Sequence, residues 1–100
     1  MALAVNTLIK CGGGLVAVKN GKILGLVELP IAGLMNDVSV EEMNKKVCRL
    51  EDAWKELGCN LPSPFMTMSI VSLACLPEIR ITDRGLVDCR TFEFLDLIEK

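Results

Sequence analysis

The sequence contains no histidine and no tyrosine, and these two absences exclude several classes of function. Without histidine the chain has no Ser-His-Asp or Cys-His nucleophile pair, and no histidine-ligated zinc or iron site. With one tryptophan and a formal net charge of −2, it has neither aromatic platforms for stacking bases nor a basic field for phosphates. We therefore expect no nucleic-acid partner.

Long hydrophobic runs and paired cysteines are also missing. The longest uncharged stretch, residues 57–77, is interrupted by Pro62 and Pro64 and is too broken to cross a bilayer. The five cysteines are odd in number and lack CxxC spacing, which argues against a structural zinc site or a disulfide framework. Because no basic segment precedes the apolar residues 1–5, we predict no signal peptide, no membrane partner and a cytoplasmic location.

The apolar content of the chain is sufficient for a folded core. Hydrophobic residues make up 51% of the sequence, which excludes an intrinsically disordered chain. A length of 100 residues suits one core rather than two. We therefore predict that residues 1–100 form a single domain.

The first third of the chain predicts a helix followed by a β-hairpin. Apolar residues recur at helical spacing from Ala2 to about Lys10, and the glycine run at 12–14 ends that helix. Asn20-Gly21 between two apolar runs is typical of a type I′ turn. Both faces of the hairpin are apolar, so we expect it inside a larger sheet that is covered on both sides. The turn predicts a register that pairs Lys19 with Lys22, Val18 with Ile23, Ala17 with Leu24 and Val16 with Gly25.

The connection after the hairpin, residues 28–37, is unusually apolar for a loop. Pro30 and Gly33 argue against a regular element. An exposed loop of this composition is an interaction patch, whereas a covered one packs over the edge of the sheet. The candidate interface residues of this loop are Leu29, Ile31, Leu34 and Met35.

A long amphipathic helix is predicted over residues 38–58. Ser39 and Glu42 have the spacing of a capping box, and Gly58 ends the helix. The narrow apolar seam favours packing on the sheet over a short coiled coil with a partner helix. The seam consists of Val40, Met43, Val47, Leu50, Trp54 and Leu57.

The second half of the chain predicts shorter elements. Ser63-Pro64 favours the start of a helix from Phe65 to about Leu73, while period-two alternation of the same residues leaves a strand open. In either case we expect this segment to be buried. Residues 78–82 alternate charged and apolar side chains, which predicts a strand with one solvated face. We then expect a turn at 83–85 and an extended segment at 86–89. The tail at 92–98 either pairs as a strand or forms a last helical turn.

Together these elements predict an α+β fold. We expect a small mixed or antiparallel sheet that contains the type I′ hairpin and is packed by two or three helices.

Four phrases of the sequence, in this order and spacing, resemble the C-terminal domain of bacterial adenine deaminase. The resemblance covers nearly the whole chain. The four phrases are Gly12-Gly13-Gly14-Leu15-Val16-Ala17-Val18-Lys19-Asn20-Gly21-Lys22, Leu29-Pro30-Ile31-Ala32-Gly33-Leu34-Met35, Pro64-Phe65-Met66-Thr67 and Thr82-Asp83-Arg84-Gly85-Leu86-Val87-Asp88.

The resemblance implies a link to hydrolysis of adenine to hypoxanthine and ammonia by an enzyme of the amidohydrolase superfamily. In that family a divalent metal, typically manganese or iron, is bound in a separate β/α barrel that lies N-terminal to this domain. This chain has no barrel and no histidine, so we expect no cofactor in it and carry no catalytic or metal-binding residue onto it. The family also has a histidine-bearing stretch and an apolar strand upstream, so we expect the domain to be truncated at its N-terminal edge.

Two hypotheses follow for function. The chain is either a part of adenine deaminase that is inactive without the barrel, or a stand-alone interaction or oligomerisation module. We expect a homo-oligomer joined by sheet edges or by the loop at 29–35, and the adenine deaminase barrel as a further partner. Asp83, Arg84 and Asp88 are the best polar candidates for a ligand or interface, the alternative being a turn held by local hydrogen bonds.

Overall fold

The computed structural model describes residues 1–98 and confirms the α+β class. All sheets in this part of the chain are small and antiparallel. The elements in chain order are α1 (Ala2–Cys11), β1 (Gly14–Lys19), β2 (Lys22–Glu28), α2 (Val40–Glu56), α3 (Pro64–Val71), β3 (Ile79–Thr82), β4 (Gly85–Asp88) and β5 (Glu93–Leu95).

The chain divides into two compact units. The first comprises Met1–Phe65, and the second begins at Met66. The prediction of a single domain stays a prediction. None of the helices within residues 1–98 combines the length and the apolarity that crossing a membrane requires.

The glycine run ends α1 as predicted. Gly12 adopts a left-handed conformation with φ 78°, and its N–H donates to the Ile9 carbonyl at 3.3 Å. The N–H of Gly13 donates to the Leu8 carbonyl at 3.0 Å. These two bonds satisfy carbonyls that have no partner within the helix, so the end of α1 is determined locally.

The hairpin forms at the predicted turn, but its predicted register is only half right. Asn20 and Gly21 both have positive φ, and Val18 pairs with Ile23 as expected. A β-bulge then shifts the register by one residue, so that Ala17 pairs with Gly25. The predicted pairs Ala17 with Leu24 and Val16 with Gly25 are therefore wrong.

The close approach of α2 explains the shifted register. A Cβ placed on Gly25 would lie 2.8 Å from the Leu50 Cα, a distance that no side chain tolerates. The bulge brings Gly25 to the face of the sheet that carries the buried Ala17 and Val27. Within residues 1–98 the hairpin is also not part of a larger sheet, because β1 and β2 form a two-stranded sheet of their own on which α2 packs.

Helix α2 follows its sequence signals closely. Ser39 caps it by accepting a hydrogen bond at 3.2 Å from the backbone N–H of Glu42. The seam packs on the sheet as predicted from Met43 to Trp54, whereas Val40 and Leu57 at its two ends are exposed. The core cluster of the first unit consists of Ala17, Val27, Leu50, Ala53 and Trp54, with Leu15, Leu24, Leu29, Met43, Val47, Cys59 and Phe65 packed against it.

Segment 64–71 is the predicted helix, here α3, but its predicted burial is wrong. Met66, Met68 and Ile70 are all exposed. The physical reason is the distribution of apolar residues, which surround the helix instead of forming one stripe. A short helix of this kind cannot cover every side against one surface.

The second unit contains the antiparallel sheet β3–β4–β5. The tail pairs as a strand, since Phe94 lies opposite Val87, which decides between the two alternatives. The expected solvated face of β3 is inverted: Ile79 and Ile81 are exposed, while Arg80 is half-buried. Arg80 tolerates this position because its guanidinium donates to the carbonyls of Ile79 at 2.8 Å and Pro77 at 2.7 Å.

Candidate interaction surface

The apolar loop between β2 and α2 is a folded turn. Ile31 and Met35 form an antiparallel bridge, with the Ile31 N–H donating to the Met35 carbonyl at 3.0 Å. Between these two bridged residues, Ala32 and Gly33 both have positive φ, and this conformation reverses the chain direction. The loop therefore presents its side chains on a defined backbone.

The backbone of the glycine run at 12–14 packs directly against the backbone of this loop. A Cβ on Gly13 would lie 2.7 Å from the Gly33 Cα, and one on Gly12 would lie 3.4 Å from the Pro30 Cα. The Leu29 N–H also donates to the Gly13 carbonyl at 3.0 Å. The absence of side chains at these glycines thus allows the loop backbone to lie directly on the junction of α1 and β1.

Only part of the predicted apolar patch is exposed. Leu29 is half-buried and packs against the core of the first unit. Ile31, Leu34 and Met35 are exposed, and Leu34 is the most exposed of the three at 68%. The first residue of the loop therefore covers the core and its later residues face solvent, and an interaction role for them stays a prediction.

An apolar groove begins directly after the loop. It has a volume of about 390 Å³ and lies between the segment before α2 and the first turns of that helix. Its walls are mainly aliphatic, and Val40 stands exposed at its start. We use the name loop–groove surface for the exposed loop residues Ile31, Leu34 and Met35 together with the groove residues Asn36, Val38, Val40, Met43, Asn44 and Val47.

Polar contacts fix the base of this surface. The Asn36 side-chain amide donates to the Glu28 carbonyl at 2.9 Å, and its Oδ1 accepts from the Val38 N–H at 3.2 Å. Lys46 Nζ on α2 donates to Glu28 Oε2 at 2.9 Å and lies 3.8 Å from Glu42 Oε1. The hydrogen bond to Glu28 raises the pKa of Lys46 above its ordinary value.

The predicted polar group of the second unit is divided between the two ends of a hairpin. Asp83 and Arg84 lie in the turn between β3 and β4, whereas Asp88 ends β4 opposite Ile79. Arg84 stacks on the Phe94 ring, with its guanidinium carbon 5.3 Å from the ring centroid. The hairpin therefore does not bring the three side chains together, and a ligand or interface role for them stays a prediction.

Local hydrogen bonds account for the conformation of this turn. Thr82 Oγ1 donates to the Gly85 carbonyl at 2.9 Å and accepts from the Arg84 N–H at 3.2 Å. At the other end, Asp88 Oδ1 accepts from the Arg90 N–H at 2.8 Å, a bond that lowers the pKa of Asp88 below its ordinary value. These local hydrogen bonds thus hold both ends of the hairpin in place.

The described residues do not fit a catalytic metal site. Within residues 1–98, no three cysteine, aspartate or glutamate side chains come close enough together to hold a metal ion. The chain has no histidine to add to such a set. The donor set of a hydrolytic divalent metal, histidines with a carboxylate, is therefore not provided by this part of the chain.

Comparison with known proteins identifies the family. The family model described as "Adenine deaminase C-terminal domain" matches residues 1–93 of the 100 residues. The chain belongs to this family. It is the family that the four sequence phrases resemble.

Curated relatives of the adenine deaminase family support the assignment. The chain is 65% identical over 97 residues to the adenine deaminase of Clostridium botulinum (strain ATCC 19397 / Type A), a match that covers 97% of the chain. It is 58% identical over 98 residues to that of Moorella thermoacetica, covering 98% of the chain. The chain spans only 16% of the length of each of these two relatives.

Sequence reasoning found the loop of this adenine deaminase C-terminal domain but missed two features that shape it. The sequence predicts only that the glycines at 12–14 end α1, although they also make room for the loop. The groove beside the loop was not predicted, because Val40 and Met43 are expected on the helix face that packs on the sheet. The signal in the sequence for this groove is that two further apolar residues, Val38 and Val40, directly follow the apolar loop.

Proposed function

We propose that the chain is the non-catalytic C-terminal part of an adenine deaminase, an enzyme that hydrolyses adenine to hypoxanthine and ammonia in cytoplasmic purine salvage. The observation that carries this proposal is the family match over residues 1–93, combined with the missing donor set for a metal. The chemistry then belongs to the barrel, which holds the manganese or iron. The chain is inactive by itself and acts by associating with that barrel.

The loop–groove surface is the best candidate for the contact with the barrel. It is largely apolar, its backbone is held by the Ile31–Met35 bridge and by Asn36, and its loop residues lie within one of the family phrases. Exposed apolar surface on a fixed backbone costs little conformational entropy when it binds a partner. These properties support an interface, and they offer no nucleophile or general base for a reaction.

A chimeric enzyme tests the proposal directly. The matched 97-residue segment of the Clostridium botulinum enzyme is replaced by this chain. We expect the chimera to release ammonia from adenine, whereas the isolated chain with manganese and adenine releases none. Turnover by the isolated chain, or a folded chimera without activity, would contradict the proposed role.

A charge placed in the loop tests the surface. Leu34 is 68% exposed and Ile9 on α1 is 71% exposed, so lysine at either position is compatible with folding of the chain. We expect Leu34→Lys to lower the rate of ammonia release by the chimera at least several-fold more than Ile9→Lys does. We also expect Leu34→Lys to lower the melting temperature of the chimera more than Ile9→Lys does. Equal effects of the two substitutions would remove the loop from the proposed interface.

A second candidate function is a stand-alone oligomerisation module. It is favoured by the two-stranded sheet β1–β2, on whose outer edges no further strand lies within residues 1–98. Such edges offer unpaired backbone groups to a second copy of the chain. Sedimentation at rising concentration should then show a homodimer or larger homo-oligomer, and a monomer at every concentration would count against this alternative.

A further inference from the structure

One side of the sheet in the second unit carries a row of aliphatic side chains, most of which are exposed. Residues directly opposite each other in antiparallel strands lie on the same face, so Ile81, Leu86 and Leu95 form one row across β3, β4 and β5. Ile79 lies two residues before Ile81 and extends the same face. Ile81 is 83% exposed, and Ile79 and Leu95 are exposed as well. We call these four residues the isoleucine face. The same side of the sheet also carries Asp88 and Glu93, which lie opposite each other beside Ile79.

The second unit has little core with which to stabilise itself. Of its described residues, Cys89 alone is buried. A segment of fewer than about 40 residues cannot usually hold a fold without a metal, disulfides or a partner. No disulfide is formed by the cysteines of this chain, and residues 66–98 gather no group of metal ligands. The unit therefore needs apolar cover from elsewhere.

We propose that the isoleucine face docks onto the remaining part of the adenine deaminase polypeptide, an inference that rests on the proposed function. The matched segment is 16% of the Clostridium botulinum relative, so most of that polypeptide lies outside the segment and is covalently attached to it. Covalent attachment gives a high effective concentration, which favours this occupant over a second copy in dilute solution. A face of branched aliphatic side chains requires an apolar surface on the partner.

The inverted alternation of β3 supports the same conclusion. A strand with one buried face normally turns its apolar residues inward and its polar residues toward water. In β3 the isoleucines face outward, while the Arg80 guanidinium is retained by the backbone carbonyls of Ile79 and Pro77. The side of β3 that still requires burial is therefore the isoleucine face.

Amide hydrogen exchange in the chimera tests this docking. We expect the peptides that cover β3, β4 and β5 to exchange at least tenfold more slowly in the chimera than in the isolated chain. The substitution Ile81→Lys should remove that protection from the chimera. The matched control Ile9→Lys, also at an exposed isoleucine, should leave it intact.

The outcomes separate this inference from the proposed function. Exchange of β3–β5 at the same rate in an active chimera and in the isolated chain would overturn the docking while leaving the proposed function in place. Protection that survives Ile81→Lys would overturn it too. Protection that appears in the isolated chain as its concentration rises would assign the face to a second copy instead. A chimera that neither folds nor deaminates adenine would contradict both.

Discussion

The two units of the chain differ in how far each one buries its apolar residues. Of the six buried hydrophobic residues in the described chain, five lie in the first unit and only Cys89 lies in the second. The first unit has a long helix whose apolar seam fits a two-stranded sheet, whereas the strands of the second unit have no such cover of their own within residues 66–98. Regular strands therefore form in both units, but only helix-on-sheet packing produces a core.

The largest expected effect comes from the centre of the first core. Leu50 is fully buried, so Leu50→Ala should lower the free energy of unfolding by about 2–5 kcal/mol through lost apolar contacts and a residual cavity. Urea denaturation followed by the fluorescence of the single, buried Trp54 measures this loss. The control Leu34→Ala, at an exposed leucine, should change it by less than about 0.5 kcal/mol. A small loss of stability for Leu50→Ala would contradict the conclusion that the first unit has a well-packed core that the second unit lacks.

The close contact of α2 with β2 gives the next largest effect. Gly25→Ala places a Cβ 2.8 Å from the Leu50 Cα, so the helix must shift, at a cost of about 1–3 kcal/mol. At Gly21 a Cβ meets nothing within 4 Å, so Gly21→Ala strains only the backbone at φ 74°. We expect the same urea experiment to show the larger loss for Gly25→Ala, and the reverse order would refute the proximity of α2 to the sheet.

Acid should affect the second unit through Asp88. The Arg90 N–H favours the carboxylate and lowers the pKa of Asp88, so the stabilisation is present above the ordinary value of 3.8 and is lost as the pH falls through the lower, folded value. Asp88→Asn should therefore be less stable than the parent chain near neutral pH, and the difference should narrow below pH 3.8.

An NMR titration of the Arg90 amide follows this transition locally. Asp83→Asn in the exposed turn is the matched control and should leave the Arg90 amide titration in place. A difference between Asp88→Asn and the parent chain that stays constant with pH would show that the carboxylate has no role in the stability of this hairpin.

The smallest effect is expected at the isoleucine face in the isolated chain. Ile81 is 83% exposed, so Ile81→Lys should change the free energy of unfolding by less than about 0.5 kcal/mol there. The same substitution should matter in the chimera, where the face has a surface to dock on. A large destabilisation of the isolated chain would mean that the second unit already buries this side chain and differs less from the first unit than the structure indicates.

The sequence predicted the elements that depend on local chemistry. The Ser39 cap, the left-handed Gly12 and the Asn20-Gly21 turn each act through hydrogen bonds or φ preferences within a few residues. For the candidate site, the apolar composition of the loop indicated an interaction patch, and Leu34 is indeed exposed. The separation of Asp83 from Asp88 by a hairpin was not evident from the sequence, and a ligand or interface role for them stays a prediction.

Features that depend on contacts distant in sequence were not predictable in this way. The bulge that turns Gly25 inward depends on how closely α2 approaches the sheet. The support of the loop by Gly13 depends on a contact with Gly33, 20 positions further along the chain. Periodicity reports which residues share a face, but it does not report whether anything covers that face, and so it gave the wrong side of β3 as solvated.

By itself, the sequence determined the helices, the turns, the α+β class and the family, because caps, glycines and local phrases carry that information within short stretches of chain. The tertiary structure decided the hairpin register, the position of the loop on the glycine run and which apolar faces remain exposed. The reason is physical: burial and close packing are set by surfaces that meet only when the chain has folded.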